Sequence, residues 1–521
     1  MEKEFNVEGK CIPSRHYMAD VSKKLVQTVK MVEKGKYFII NRPRQYGKTT
    51  TLNSIEELLH ETGEYMVFSI SLEGISNQNF ASDASLAAGF VRLLARSVEY
   101  FAPERTASLL ALIPTINNFD DLSNFITDFT AKTDKKVVIL IDEVDQSANN
   151  QLFIEFLALL RSKYLVRDKI STFHSVVLAG LHDVKSLKLK LRPNEEQKYN
   201  SPWNIAADFD VVMELQPDEI VPMLKDYAQE RQVTMDFQAI AAALFYYTEG
   251  YPFLVSALCK IVDEKILPNR TDQTWTVFDI ETAADRMIKS YISNTNFDSL
   301  IKNLENNAEL YDIIYRIVVE NEIVPHNIHA PLISLALQHG ILRNGQVLGI
   351  HNRIYREVIV NYMTVKAITE RKSLPLETTE PYLLANNGLD MRKVLLKFQE
   401  QMQLEYSKKD DSFIERHGRL IFLAFLKPII NGKGYAFKEP EISEERRMDI
   451  TVSFFQHKYV VELKMWRGKV AHDKGLKQLG NYLDRQLLPE GFLVIFEQTA
   501  TKSWKKGWIK VNGKRVFAVW V

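Results

Sequence analysis

Cysteine is nearly absent. Cys11 and Cys259 are the only two in 521 residues. Two so widely separated thiols exclude a disulfide framework and a cysteine-ligated zinc site. Charge of one sign is lacking as well: 66 Lys and Arg balance 66 Asp and Glu, for a formal net charge of +0. No bulk field therefore draws in nucleic acid, and any such contact needs a local basic face. No apolar run approaches the roughly 18 residues of a membrane span. The N-terminal Met-Glu-Lys-Glu-Phe has no apolar core of the signal-peptide kind. Internal repeats and low-complexity tracts are missing too. The expectation is a soluble, cytoplasmic protein with no membrane partner.

What remains is ordinary globular sequence, 46% hydrophobic and 25% charged, so disorder is not expected over most of it. The length exceeds what one core organises and suggests roughly three domains. The pattern divides into a nucleotide-binding α/β core (1–215), a helical lid (216–297), a winged-helix domain (298–368), a polar linker (369–385) and a second α/β domain (386–521).

The first chemistry lies at residues 36–51. An apolar, β-branched strand (37–40) runs into Arg42-Pro43-Arg44-Gln45-Tyr46-Gly47-Lys48-Thr49-Thr50. A helix then continues to about His60. A strand, a tight loop and a helix start carrying Gly-Lys-Thr make a phosphate cradle, because backbone N–H groups and the helix dipole face the anion. Residues Arg44 to Thr50 would line it. Lys48 would reach the β/γ-phosphates and the Thr49 hydroxyl would hold Mg²⁺. The usual pattern has glycine six positions before the lysine, and Arg42 stands there, so the first turn of the loop must differ, held by Pro43. The competing reading is a surface turn with a solvated lysine.

A second element supports the cradle. Val137-Val138-Ile139-Leu140-Ile141-Asp142-Glu143 reads as a buried parallel strand delivering two acids to the ligand edge of the sheet. Asp142 suits the Mg²⁺ shell, and Glu143 suits polarising the attacking water. Asp145 reads as a loop residue. Together the two motifs point to an ATP- or GTP-binding site with Mg²⁺.

The remaining alternation, strands near 64–70 and 173–179 with helices between, is that of a parallel sheet with helices on both faces. A last strand is expected at 208–215. Tyr17 either stacks on the base or, the commoner role, packs as a core aromatic. His182 or Asp183, after Gly180, lies on the nucleotide edge and would sense the γ-phosphate; an ordinary loop role fits equally. Arg161 or Arg167 would act as an arginine finger on a neighbouring subunit of a homo-oligomer, although most helix-end arginines only cap or solvate. Helices near 308–319 and 330–339, a two-strand wing about Asn344-Gly345 and a helix at 355–362 make the winged-helix pattern. The 330–339 helix has no Lys or Arg, which favours packing over DNA contact.

The second chemistry lies in the last domain. Two strand-like stretches, 447–452 and 459–464, carry Asp449, Glu462 and Lys464. Glu462 and Lys464 are two apart and share a face, and Asp449 can come alongside on a paired strand. Two carboxylates hold Mg²⁺, and a lysine positions the water that attacks a phosphodiester. The alternative is an exposed face with compensating charges. Gln478 and Tyr482, four apart on a following helix (471–486), share a face, and Glu415 is a candidate fourth acid. Trp504, Lys505, Lys506 and Trp508 mix basic and aromatic side chains as a nucleic-acid surface does; plain solvated structure fits them equally.

With both sites in view, the first two-thirds resembles the bacterial AAA-ATPase-like family, which is similar to the archaeal ATPase and STAND groups. The residues carrying the likeness are Arg42 to Thr49, Pro202-Trp203-Asn204-Ile205-Ala206 and Gly250-Tyr251-Pro252; that family tolerates arginine in place of the first glycine. The last third resembles the PD-(D/E)XK nuclease domain commonly fused to these ATPases. Asp449 and Glu462-Leu463-Lys464 stand at its core positions, and Gln478 and Tyr482 match the Gln-x-x-x-Tyr motif of its RecB-like members, where the helix supports the site and contacts DNA. The superfamily's proline before the first Asp is replaced by Met448. The resemblance implies a P-loop ATPase coupled to a Mg²⁺-dependent deoxyribonuclease with DNA as substrate, in defence or DNA processing. The competing class is an ATP-driven regulatory or assembly module whose last domain binds nucleic acid or a partner without cutting.

Overall fold

Four short strands of almost unbroken apolar residues form the first sheet: β1 (Tyr37–Asn41), β2 (Tyr65–Ser71), β3 (Lys136–Asp142) and β4 (Ser175–Gly180). Strands with no polar face must be covered on both sides, which is the environment of a parallel α/β sheet. The order is β1-β4-β3-β2 and every pairing is parallel. The described residues of the computed structural model are 2–521 except 74–75, 101, 148–149, 182–202, 204, 290–294, 319–321, 323, 326, 328–329, 346–347, 370–379, 406–417, 419–420, 424, 428, 431–433, 438–448, 467–475, 478, 482, 485–486 and 498–502.

Helices cover both faces. Helices α1 (Ser22–Glu33) and α2 (Lys48–Thr62) contact the sheet on one side. On the other, α3 (Asp83–Ser97), α4 (Pro103–Leu112), α5 (Phe119–Lys132) and α6 (Gln151–Leu165) bury Phe90, Leu109, Ile126 and Leu157 against Phe68, Ile139 and Leu178. Each such fully buried side chain contributes roughly 1.5–3 kcal/mol relative to exposure. Helices α3, α5 and α6 start at Ser82, Asn118 and Asn150, whose side chains accept backbone N–H bonds from the first turn.

The strand expected over 208–215 is not present. Residues Phe209, Val211, Met213 and Leu215 are buried at alternate positions, but among the described residues the only ladder contact here is a single parallel bridge between Phe38 and Ala207. Beyond it, Arg42 takes the place of a pairing strand: its guanidinium donates to the Val211 carbonyl at 2.8 Å and stands 5.3 Å over the Phe209 ring. Period-two burial here reports packing beside β1 without ladder pairing.

The chain divides into two compact units. The first comprises Met1–Tyr291, Asn327–Arg343 and His351–Arg353. It adds helices Pro217–Arg231, Phe237–Thr248 and Pro252–Ile261 and a small parallel pair, β5 (Thr234–Met235) and β6 (Thr274–Trp275). Around the expected wing, helices Ala308–Val318 and Pro331–Gln338, strands β7 (Leu342–Arg343) and β8 (Gly349–Ile350), and helix Arg353–Thr369 follow in that order.

The second unit, Ile292–His326, Asn344–Ile350 and Ile354–Val521, holds a six-stranded mixed sheet of β9 (Gly434–Phe437), β10 (Asp449–Phe454), β11 (His457–Met465), β12 (Glu490–Phe496), β13 (Lys506–Val511) and β14 (Lys514–Trp520). The order is β13-β14-β12-β11-β10-β9. β11, β12 and β14 run parallel, while β9, β10 and β13 pair antiparallel. Helix Met391–Glu405 fills one face with Val394, Leu395 and Phe398. Leu476, Leu479 and Leu483 fill the other against Val460, Leu493 and Ile495.

Candidate functional site

The 42–48 loop leads into an uncapped helix. Helix α2 starts after Gly47, which has φ 75° and offers no side-chain cap, and its first turn carries no acid. Its leading N–H groups lack the side-chain acceptors that α3, α5 and α6 have, and an anion is their natural partner. Gln45, at φ 56°, adds a second left-handed residue that turns the loop back toward the helix.

Lys48 is buried and folds over this loop, donating to the carbonyls of Arg42 at 3.0 Å and Pro43 at 2.9 Å. Burial pushes its pKa down, while Glu143, Asp145 and Asp142 pull it back up. Arg42 is turned away, toward residues 209–211. A side chain is therefore accommodated at the position where phosphate loops carry glycine.

The Thr49 hydroxyl donates to Asp142 Oδ2 at 2.6 Å, and Asp142 Oδ1 accepts the Glu143 N–H at 2.9 Å. One hydroxyl and one carboxylate, adjacent on neighbouring elements, are hard oxygen donors that fit Mg²⁺, which takes few protein ligands and completes its shell with phosphate and water. Among the described residues there is no group of three or more His, Cys, Asp or Glu side chains arranged for a metal. Glu143 sits at φ 54°. Burial, then the neighbouring Asp142, raises its pKa above the ordinary carboxylate range.

Other candidates fall into place by geometry. The Thr50 hydroxyl accepts the Cys11 N–H at 3.1 Å, tying the N-terminal segment to α2. Asp145 accepts the Leu181 N–H and so links the turn after β3 to the end of β4. Tyr17 is buried against Phe5 and Tyr227. Arg161 lies in the last turns of α6, about 15 Å along the helix from its start at the ligand edge. Arg167 stacks 3.5 Å over the Tyr164 ring. His182, Asp183, Pro202 and Asn204 lie outside the described residues.

Sequence reasoning missed the support behind the loop. Tyr46 is buried, and its hydroxyl bonds Glu214 Oε1 at 2.9 Å and His351 Nε2 at 2.8 Å. Tyr251, from Gly250-Tyr251-Pro252, packs edge-on to Tyr46 with ring centroids 4.6 Å apart and donates its hydroxyl to the exposed Arg44's carbonyl at 2.5 Å. Gly340, at φ +66°, lies so close that a Cβ there would meet Pro43 Cγ at 2.8 Å. Burial holds His351 down to about 4, so its ring is neutral.

In the second unit, the register opposes Asp449 and Glu462 across the β10–β11 pair. Glu462 is almost fully buried, and its Oε1 lies 2.8 Å from Lys464 Nζ. Lys464 is a quarter exposed, which leads the site toward solvent. Thr451, two residues along from Asp449, is wholly buried, and its hydroxyl has no hydrogen-bond partner among the described residues. A buried carboxylate beside a lysine and an orphaned hydroxyl fit a hydrated hard cation; the side chain of Asp449 lies outside the described residues. Glu415, Gln478 and Tyr482 also lie outside them.

A family model described as a predicted AAA-ATPase matches residues 50–188, starting one residue after Thr49. No curated protein matches the chain. Among solved structures, a Walker-type ATPase of Pyrococcus abyssi is 14% identical with a TM-score of 0.47, over 68% of this chain and 99% of that one. The ORC2 protein of Aeropyrum pernix, in ADPNP and ADP complexes, is 12% identical with a TM-score of 0.38, over 70% and 97%. The RuvB Holliday junction branch migration motor of Thermotoga maritima is 16% identical with a TM-score of 0.32, over 71% and 100%. No described helix is long and apolar enough to cross a membrane.

Proposed function

We propose that the chain binds and hydrolyses ATP in its first unit and cleaves DNA in its second, the first acting as a switch on the second. The ATP reading rests on the uncapped start of α2, where Lys48 and the Thr49–Asp142 pair at 2.6 Å converge. The β- and γ-phosphates bind the N–H groups of residues 45–50 and the Lys48 ammonium. Thr49 and Asp142 hold Mg²⁺, which neutralises charge on the phosphates when bound. Glu143 orients the attacking water and takes its proton.

The cleavage reading rests on the opposition of Asp449 and Glu462 with Lys464 at 2.8 Å from Glu462. The two acids would hold Mg²⁺, and Lys464 would position the water that attacks the phosphodiester. PD-(D/E)XK is the fold this assigns to the last domain, and a winged helix the one assigned to 298–368.

The test is incubation of supercoiled plasmid with the full chain and Mg²⁺, with and without ATP, beside Asp449→Ala, Lys464→Ala and Lys48→Ala. Nicking lost in the Asp449 and Lys464 variants, and altered by Lys48→Ala, supports the coupled reading. Plasmid left intact under every condition overturns cleavage and leaves an ATP-driven module that binds without cutting.

A further inference from the structure

The basic and aromatic stretch 504–510 is not used by either site, and the fold gives it a definite place. Strand β13 is an outer edge of the six-stranded sheet. Lys506, Trp508 and Lys510 alternate along it, so their side chains leave the same face, and all three are exposed. Across the pair, Trp508 opposes Phe517 and Lys510 opposes Arg515. The Arg515 guanidinium stands 4.9 Å over the Trp508 ring while pairing with Glu490 at 3.0 Å.

Phe517 belongs to the core under helix Met391–Glu405, whereas Val460, on the Glu462 side of β11, belongs to the core on the opposite face. The edge patch therefore faces away from the acidic centre. Toward its start it opens into a recess of about 620 Å³ bordered by Tyr382, Lys393, Lys397, Trp504 and Lys506. Lys393 donates to the Pro381 carbonyl and Lys397 pairs with Glu400, so these two are partly engaged. Lys506 and Lys510 make no side-chain bond or ion pair to a described residue.

Edge-strand lysines have a bland use, which is to discourage pairing with another chain. Trp508 argues against that use. It is 43% exposed on the same edge, and an indole left half open to solvent there invites association. Cations spaced along a strand with aromatic rings between them are what a sequence-tolerant single strand needs: phosphates meet the lysines, and unpaired bases stack on the rings. Lys506 to Lys510 spans about 13 Å at the strand rise. With no net charge on the chain, attraction for a polyanion must be local.

We propose that this edge, from the Trp504 recess through Trp508 to Lys510, is a binding surface for single-stranded nucleic acid. The surface is separate from the Asp449–Glu462 centre and acts whether or not that centre cuts.

The test measures anisotropy of a labelled oligo-dT with the full chain in EDTA, where no metal-dependent cleavage occurs. Expected are a Kd weakened about tenfold by Trp508→Ala, the lower half of the range for loss of one stacked base, and recovery with Trp508→Phe. Lys506→Glu with Lys510→Glu is expected to weaken binding further and to flatten the salt slope by about 1.4, for two phosphate contacts. Circular dichroism and melting check that the variants fold. Affinities unchanged in both variants overturn the proposal, as does duplex DNA or polyglutamate binding at this edge as tightly as oligo-dT. Plasmid nicking with normal oligo-dT binding by the edge variants overturns the surface and leaves the nuclease; oligo-dT binding lost in those variants without any nicking keeps the surface and removes the nuclease.

Discussion

Tyr46 and His351, 305 positions apart, meet at 2.8 Å behind the 42–48 loop. Tyr46 sits two residues before Lys48, so its ring fixes the backbone whose N–H groups would face phosphate. Glu214 accepts from the same hydroxyl, and Tyr251 holds the Arg44 carbonyl. The loop thus leans on residues 214, 251 and 351. A loop held from behind is pre-organised, and loss of one hydrogen bond there costs about 1 kcal/mol.

Tyr46→Phe is expected to weaken ATP about three- to tenfold without unfolding the chain. A double-mutant cycle with His351→Ala, read by ATP affinity, should give a coupling near 1 kcal/mol. Strictly additive effects would mean that the contact does not support the loop.

Acidification should loosen the same support. His351 titrates near 4 in the folded chain because it is buried, against about 6.5 unfolded. Glu214 favours the protonated ring and Arg343 opposes it, while Tyr46, whose pKa burial raises, stays neutral in this range. Between those two values the unfolded chain binds the extra proton, so stability falls as pH drops from 6.5 toward 4. The loss amounts to roughly 3 kcal/mol over the whole window. Above pH 6.5 His351 contributes no slope. Melting of wild type and His351→Gln at pH 7 and pH 5 checks this: the variant should lose less, and equal losses would refute the assignment.

The two residues of the phosphate edge should separate binding from turnover. Lys48→Ala removes the ammonium that crosses the loop mouth and should abolish binding of a fluorescent ATP analogue. Glu143→Gln keeps the side-chain shape and should retain binding while hydrolysis falls about 10²–10⁴-fold. Hydrolysis at the wild-type rate in Glu143→Gln would move the base role elsewhere.

What was legible in the chain is what is local. An apolar run followed by Gly-Lys-Thr, and another ending in Asp142-Glu143, define adjacent strand ends without any long-range knowledge. The i, i+2 placement of Glu462 and Lys464 follows from strand pleating alone. Tyr46, Glu214, Tyr251 and His351 meet only because residues distant in the chain converge, and nothing near His351 in sequence marks it. The segment 208–215 shows the converse error. Its alternation is real as burial, but hydrogen bonding decides a strand, and Arg42 satisfies that carbonyl edge with a side chain.

The buried acid of the second unit permits a separation of folding from chemistry. Glu462 is 1% exposed, and Lys464 supplies the cation beside it. Removing one partner of a buried pair costs about 3–5 kcal/mol, because the remaining charge is left in low dielectric. Lys464→Met should therefore lower the denaturant midpoint of the second unit. Glu462→Gln with Lys464→Met together should recover most of that loss, since no charge is then stranded. Cleavage should be absent in both variants. If the single variant melts like wild type, the 2.8 Å pair contributes little to folding, and loss of nicking in Lys464→Ala then reports on chemistry alone.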